Sequence, residues 1–85
     1  MILSPVFFHM YKETVEYIIK MLVDHPDEVS VDVEEKGNMV LIEVSVANND
    51  TGRVIGRRGK VINAISTVLQ VRGDLDGKRV SIDLI

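Results

Sequence analysis

Val54-Ile55-Gly56-Arg57-Arg58-Gly59-Lys60 is the stretch that decides how this chain is read. Two glycines frame two arginines, a Val-Ile pair precedes them, and an apolar helical pattern follows at Val61, Ile62, Ala64, Ile65, Val68 and Leu69. A glycine has no Cβ to keep another molecule off the main chain. Two of them three residues apart predict a loop against which a phosphodiester chain can lie. Arg57 and Arg58 put charge where phosphates would sit.

On either side, the periods of the apolar residues alternate between helix and strand. Tyr11, Val15, Ile18 and Leu22 share a face at helical spacing, predicting a helix over Met10–Asp24 that Pro26 ends. Val29, Val31 and Val33 alternate with Ser30, Asp32 and Glu34, and Val40, Ile42, Val44 and Val46 alternate in the same way beyond a Lys36-Gly37-Asn38 turn. So short a connection makes these two strands an antiparallel hairpin. Asp50 suits the N-cap of a short helix over 51–55, and a longer helix runs from about Lys60 to Val71 with Gly73 as its stop. Asp74 and Asp76 read as a polar loop before a last strand at Val80, Ile82 and Leu84. The order is α-β-β-α-α-β. It predicts an α+β two-layer sandwich with a three-stranded sheet and helices on one face.

A single domain is expected from 85 residues, burying roughly 60–65% of its unfolded surface. Residues 10–85 form that domain. Residues 1–9 are an apolar N-terminal extension expected to be loosely ordered, with Met10 an alternative start and packing on a partner chain the less favoured reading. There are no cysteines, which excludes disulfides and thiolate metal sites and fits a reducing cytoplasm. No apolar run approaches a transmembrane span. The net charge of −3 is unevenly spread. Residues 1–50 carry three bases against ten acids (−7), and residues 51–85 carry seven against three (+4). A basic patch on an acidic body guides a polyanion to one place and repels it elsewhere.

The glycine loop between two helical segments is the G-x-x-G pattern with which KH domains clamp a single-stranded nucleic-acid backbone. Candidate RNA-binding residues are Arg53, Val54, Ile55, Gly56, Arg57, Arg58, Gly59, Lys60, Ile62 and Asn63. Val54, Ile55 and Ile62 are expected on the floor of a base-binding groove, with strand Met39–Val46 as its far wall. The basic residues crowd a helix N-terminus, where folding alone favours acids. Rival phosphate loops fail: both a Walker A motif and a dinucleotide fingerprint ending here need glycine at Val54, and the former also needs Ser or Thr at Val61. No aromatic lies near the loop, which disfavours sheet-stacking RNA folds. His9 and His25 read as isolated surface residues, and Glu34 and Glu35 as solvated. No nucleophile has a base and an orienting group, and no metal or cofactor site is indicated.

The stretches "TVEYIIKMLVDHPDEVSV" at 14–31, "GRVIGRRGKVINAI" at 52–65 and "GKRVSIDLI" at 77–85 resemble the small bacterial single-KH proteins of the KhpA family. The similarity covers Tyr11 to Ile85. It implies a type II KH fold and a cytoplasmic, non-enzymatic RNA-binding protein that acts as an RNA chaperone, with the loop role falling on Gly56, Arg57, Arg58 and Gly59. It also implies self-association as a homodimer and pairing with a larger KH protein of the KhpB or Jag kind, with effects on cell elongation and the envelope (cell shape and cell wall organisation). Another reading is a protein-interaction module that dimerises through apolar residues such as Ile65, Val68 and Leu69, which suit a core equally well, and contacts RNA only secondarily.

Overall fold

The computed structural model describes the backbone of residues 5–85 and the side chains from residue 7 onward. Helix α1 spans Pro5–Leu22, strands β1 and β2 span Ser30–Lys36 and Met39–Ser45, helices α2 and α3 span Thr51–Ile55 and Lys60–Asp76, and strand β3 spans Arg79–Leu84. The α-β-β-α-α-β order is the one read from the sequence, and the fold is α+β and KH-like. β1 and β2 pair antiparallel, with Val31 opposite Val44 and Val33 opposite Ile42. β3 returns through α2 and α3 to lie parallel to β2, with Val80 beside Val40. The sheet order is β1-β2-β3.

The period-two pattern places Val31, Val33, Val40, Ile42, Val44 and Val80 on one face of the sheet, where they are buried. Helix residues Tyr11, Val15, Ile19, Ile65 and Leu69 close over them. Ile19, missing from the predicted stripe, completes an i, i+4 row with Tyr11 and Val15 and is fully buried. On the other face, Asp32, Glu43 and Asp83 stand in one row across three strands and are exposed. Like charges in direct opposition cost sheet stability, so this row is there despite packing and not because of it.

Four boundaries and environments differ from the sequence reading. First, α1 begins at Pro5 instead of Met10. Phe8 packs against the core, and the Arg72 guanidinium lies 4.7 Å from the centre of the Phe7 ring, a cation–π contact. Residues 1–4 of the expected extension lie outside the described residues. The helix also stops at Leu22, two residues short of the expected end.

Second, α3 does not stop at Gly73. It runs to Asp76 and ends on Gly77, whose left-handed φ of 68° lets Gly77 N–H reach the Asp74 carbonyl and Lys78 N–H the Gly73 carbonyl, a Schellman close. Gly73 serves packing instead: a Cβ there would lie 2.7 Å from Val80 Cγ2 and 2.8 Å from the Lys78 carbonyl oxygen.

Third, Asp74 and Asp76 belong to the last helical turn, not to a loop. Asp76 accepts hydrogen bonds from the Tyr11 hydroxyl at 2.8 Å and from Arg72 Nη2 at 2.9 Å, pinning α1 to α3. Burial would raise the Asp76 carboxyl, but these donors hold it below its usual value. Burial and the neighbouring carboxylate push the Tyr11 phenol up.

Fourth, Glu35 is half-buried and not solvated. It pairs with Lys78, whose ammonium also donates to the Gly37 carbonyl at 3.0 Å and so ties the hairpin turn to the start of β3.

Candidate nucleic-acid interface

The interface is built on a very short helix. α2 has five residues and ends on Gly56, whose φ of 77° and ψ of 170° lie in a region open almost only to glycine. Arg57–Gly59 form a single 3-10 turn, with Gly59 N–H bonded to the Gly56 carbonyl at 3.1 Å. Within that turn Arg58 is left-handed at φ 57° and ψ 27°, and Gly59 follows at φ 75°. Arg58 is the single non-glycine residue with positive φ among the described residues. Such a conformation costs a side-chain-bearing residue roughly 1–2 kcal/mol. The chain accepts that cost where it turns two arginine side chains outward.

Lys60 opens α3 directly after the turn, as the sequence reading expects. No side chain caps this end: the Lys60 N–H bonds back to the Arg57 carbonyl, and the N–H groups that follow it open α3 beside Arg57, Arg58 and Lys60, all three exposed. An anion placed there meets main-chain donors, the positive end of the helix dipole and three cations together. Asn63, exposed on the next turn, lies against Gly59: a Cβ on Gly59 would come within 3.3 Å of Asn63 Nδ2.

Apolar surface adjoins the loop through Ile55, 38% exposed, and through the half-buried Val61 and Ile62. Val54, expected on the groove floor, is fully buried in the core instead. It anchors the loop and cannot touch a ligand. The expected far wall also differs. Val40, Ile42 and Val44 of β2 are sealed under the helices, and of that alternating row only Val46, past the strand end, is partly open. β2 is the central strand, so its apolar face lies inside the core.

Arg53 is not a free cation. Its guanidinium lies 3.2 Å from the Asp24 carboxylate, across the surface from the connection after α1. Asp50 stands at the N-cap position of α2, as expected, but its side chain makes no capping hydrogen bond. With 1% exposure, it accepts the main-chain N–H groups of Asp24 and His25 at 3.1 Å each, and the His25 ring nitrogen Nδ1 lies 3.1 Å from the same carboxylate. Burial would raise the Asp50 carboxyl, but these three donors hold it below its usual value. The hydrogen bond to Asp50 in turn raises His25. His25 is therefore not the isolated histidine of the sequence reading. An acid 25 residues away has no sequence signal that marks it as a partner, and an Asp before a short helix looks like any cap.

Among the described residues, no group of three or more His, Cys, Asp or Glu side chains is arranged to hold a metal ion, and no helix is long and apolar enough to cross a membrane.

Comparison with known proteins agrees with this geometry. The family described as KhpA/KhpB, KH domain, matches residues 12–84. A protein of Halalkalibacterium halodurans named RNA-binding protein KhpA is 39% identical over 74 residues, covering 87% of this chain and 97% of that one. Its namesake in Clostridium acetobutylicum is 39% identical over 74 residues, covering 87% and 99%. The one in Borreliella burgdorferi is 37% identical over 73 residues, covering 86% and 89%. No solved structure matches. With the helix-strand order, the glycine loop and this breadth of similarity in agreement, the chain belongs to the KhpA/KhpB KH-domain family.

Proposed function

We propose that this protein binds single-stranded RNA at the Gly56–Gly59 loop. The observation that carries the reading is the exposed trio Arg57, Arg58 and Lys60 at the uncapped start of α3, on a loop whose left-handed backbone turns the arginines outward. The acidic row Asp32, Glu43 and Asp83 on the outer sheet face supports one-sided binding, because it repels a polyanion from the surface that sheet-stacking RNA folds use. Bases rest on Ile55, Val61 and Ile62 by aliphatic contact. Lys60, Asn63 and the loop glycines complete the contact, and Arg53 joins it only by leaving Asp24. The footprint is about four nucleotides. Its relatives are named RNA-binding proteins, and this reading carries that role to the present chain. An RNA chaperone in the cytoplasm, without catalysis, acting post-transcriptionally in processes such as cell shape and cell wall organisation, is the role we assign.

NMR titration with a short single-stranded RNA tests the site. Shifts should centre on residues 55–63 in the wild type. Arg57→Asp with Arg58→Asp should abolish them and leave the rest of the spectrum intact, since both side chains are exposed. RNA-induced shifts that persist unchanged in the double variant would sink the proposal.

A second reading, protein association, has its own observation. Val68 and Leu75 on α3 are 60% and 74% exposed, and Met21 and Tyr17 on α1 are open as well. Between the helices runs an apolar cleft of about 140 Å³ lined by Met10, Tyr11, Thr14, Val68, Leu69 and Arg72. Of the residues expected at a dimer surface, Val68 is open, whereas Ile65 and Leu69 are core. We propose that this helical face mediates a homodimer, or pairing with a larger KhpB/Jag-like KH protein, leaving both glycine loops free. Coupling two such sites raises effective affinity because the second contact becomes intramolecular. Sedimentation over a wide concentration range, with and without such a partner, tests it. A strict monomer under both conditions would refute association.

A further inference from the structure

Five residues are too few for a helix to hold itself in water. α2 therefore depends on tethers, and the Gly56–Gly59 loop inherits its position from them. One tether is Val54 in the core. The others lead to the connection after α1. Asp50, the residue just before α2, grips the Asp24 and His25 N–H groups and the His25 ring, and Arg53 in the middle of α2 reaches Asp24. One member of the central pair is sealed and the other open: the Asp50 side chain is 1% exposed and the His25 side chain 44%. Solvent protons thus reach a ring that is bonded to a buried carboxylate at the root of the loop.

We infer that His25 and Asp50 form a proton-sensitive latch on the loop: a protonated His25 locks the base of α2 to the 24–25 connection and holds the loop in its binding form, and a neutral His25 loosens it and weakens RNA binding. Both are positioning residues and neither touches RNA. The affinity half of the inference rests on the loop being the RNA site. The conformational half does not.

The charges facing His25 favour its protonated form. Asp50 faces it from the connection into α2, Asp24 lies beside it in the chain, and Glu28 comes from the 3-10 turn that follows. Arg53 of α2, the cation on the neighbouring helix, is paired with Asp24. The hydrogen bond to Asp50 lifts the histidine above its ordinary value, against a smaller opposing effect of burial. Once neutral, the ring keeps its bond to Asp50 only as the Nδ1–H tautomer and has lost its charge. As the other tautomer it donates nothing, and Asp50 keeps just its two main-chain donors.

The full chain is followed by NMR from about pH 5.5 to about pH 8.5, which spans the histidine range, alone and with a short single-stranded RNA. Wild type, His25→Gln and Asp50→Asn are compared. In the free wild type, the Gly56 and Gly59 amides should move with the midpoint of the His25 ring signals. RNA affinity should fall about two- to five-fold over the same interval, the equivalent of one partly exposed ion pair. His25→Gln should remove both pH dependences, whereas His9, at the far end of α1, should contribute to neither. Asp50→Asn should lower affinity at the acid end of the range. Should that variant not fold, His25→Gln decides alone. Loop amides that stay still while His25 titrates overturn the latch, as does a His25→Gln variant with the wild-type affinity profile. A wild type that binds no RNA at any pH overturns the RNA reading instead. The two failures are told apart because the titration of the free protein reads the latch without RNA.

Discussion

Gly56 and Val61 approach so closely that a Cβ on the glycine would lie 2.8 Å from the Val61 main-chain nitrogen and inside contact of its Cγ2. The sequence reading gives this glycine the task of letting a ligand come near. The geometry adds a reason from within: the chain must pass this close to the first turn of α3 to set the loop over its N–H groups.

The two loop glycines should therefore respond differently to substitution. Gly56→Ala meets both a glycine-only conformation and the Val61 backbone, and should cost roughly 2–4 kcal/mol. Gly59→Ala meets a left-handed φ of 75° but only the movable Asn63 amide, and should cost about 1 kcal/mol. Urea denaturation of both variants measures this. Equal losses would mean that the Val61 contact is absent.

Arg58 separates stability from binding. Arg58→Gly relieves the left-handed strain at φ 57° while adding freedom to the unfolded chain, so stability should be unchanged or up to about 1 kcal/mol higher. RNA affinity should fall all the same. With two to four phosphates neutralised, the wild type should show a log K against log salt slope of roughly −1.4 to −2.8, and the variant a slope shallower by about 0.7. A variant that binds as tightly as wild type, with the same slope, would exclude Arg58 from the contact.

What the sequence made legible was whatever local period and composition encode. The alternating valines of β1 and β2 and the Gly-Arg-Arg-Gly loop were readable because each lies within a few residues of what defines it. Three helix ends were not. Gly73 looks like a stop, but its purpose is to let Val80 and the Lys78 carbonyl come close, and that contact exists only after β3 has returned to the sheet. Asp50, Asp76 and Glu35 all looked solvated or local. Each answers a residue 25 or more positions away, His25, Tyr11 and Lys78 respectively, and such pairings leave no period behind. The placement of β3 beside β2 is likewise a property of the crossover and not of any single stretch.

Stability should decline on both sides of a plateau, for opposite reasons. Asp50 and Asp76 titrate below their ordinary 3.8 in the folded chain, so their contribution is complete above that value and is lost as pH falls through the folded ones. His25 titrates above its ordinary 6.5, so its contribution is complete below that value and is lost as pH rises through the folded one. Thermal unfolding against pH should show a maximum between these limits. Asp76→Asn should flatten the acid limb and His25→Gln the alkaline one, each leaving the other limb in place. An alkaline limb unchanged in His25→Gln would show that its bond to Asp50 adds nothing to the folded state.

Gly73→Ala sets two magnitudes against each other. In an exposed helix interior this change gains about 1 kcal/mol, because alanine is the better helix former. Here Gly73 is buried where α3 crosses β3, and the new methyl would meet Val80 Cγ2 at 2.7 Å, the Lys78 carbonyl oxygen at 2.8 Å and Gln70 Nε2 at 3.0 Å. Gln70 has no room to yield, since its amide donates to Asp74 and to the Lys78 carbonyl while its oxygen accepts Val80 N–H at 2.9 Å. Relief must come from moving β3 away from α3, which also strains the Schellman close at Gly77. Overpacking of this kind costs about 1–3 kcal/mol, and with a backbone oxygen in the way the upper part of that range applies. The net result should be a loss of roughly 1–2 kcal/mol, read by urea denaturation, with RNA binding preserved because the loop lies at the other end of α3. A stabilised Gly73→Ala variant would mean that helix propensity wins and that α3 and β3 are not in contact at this position.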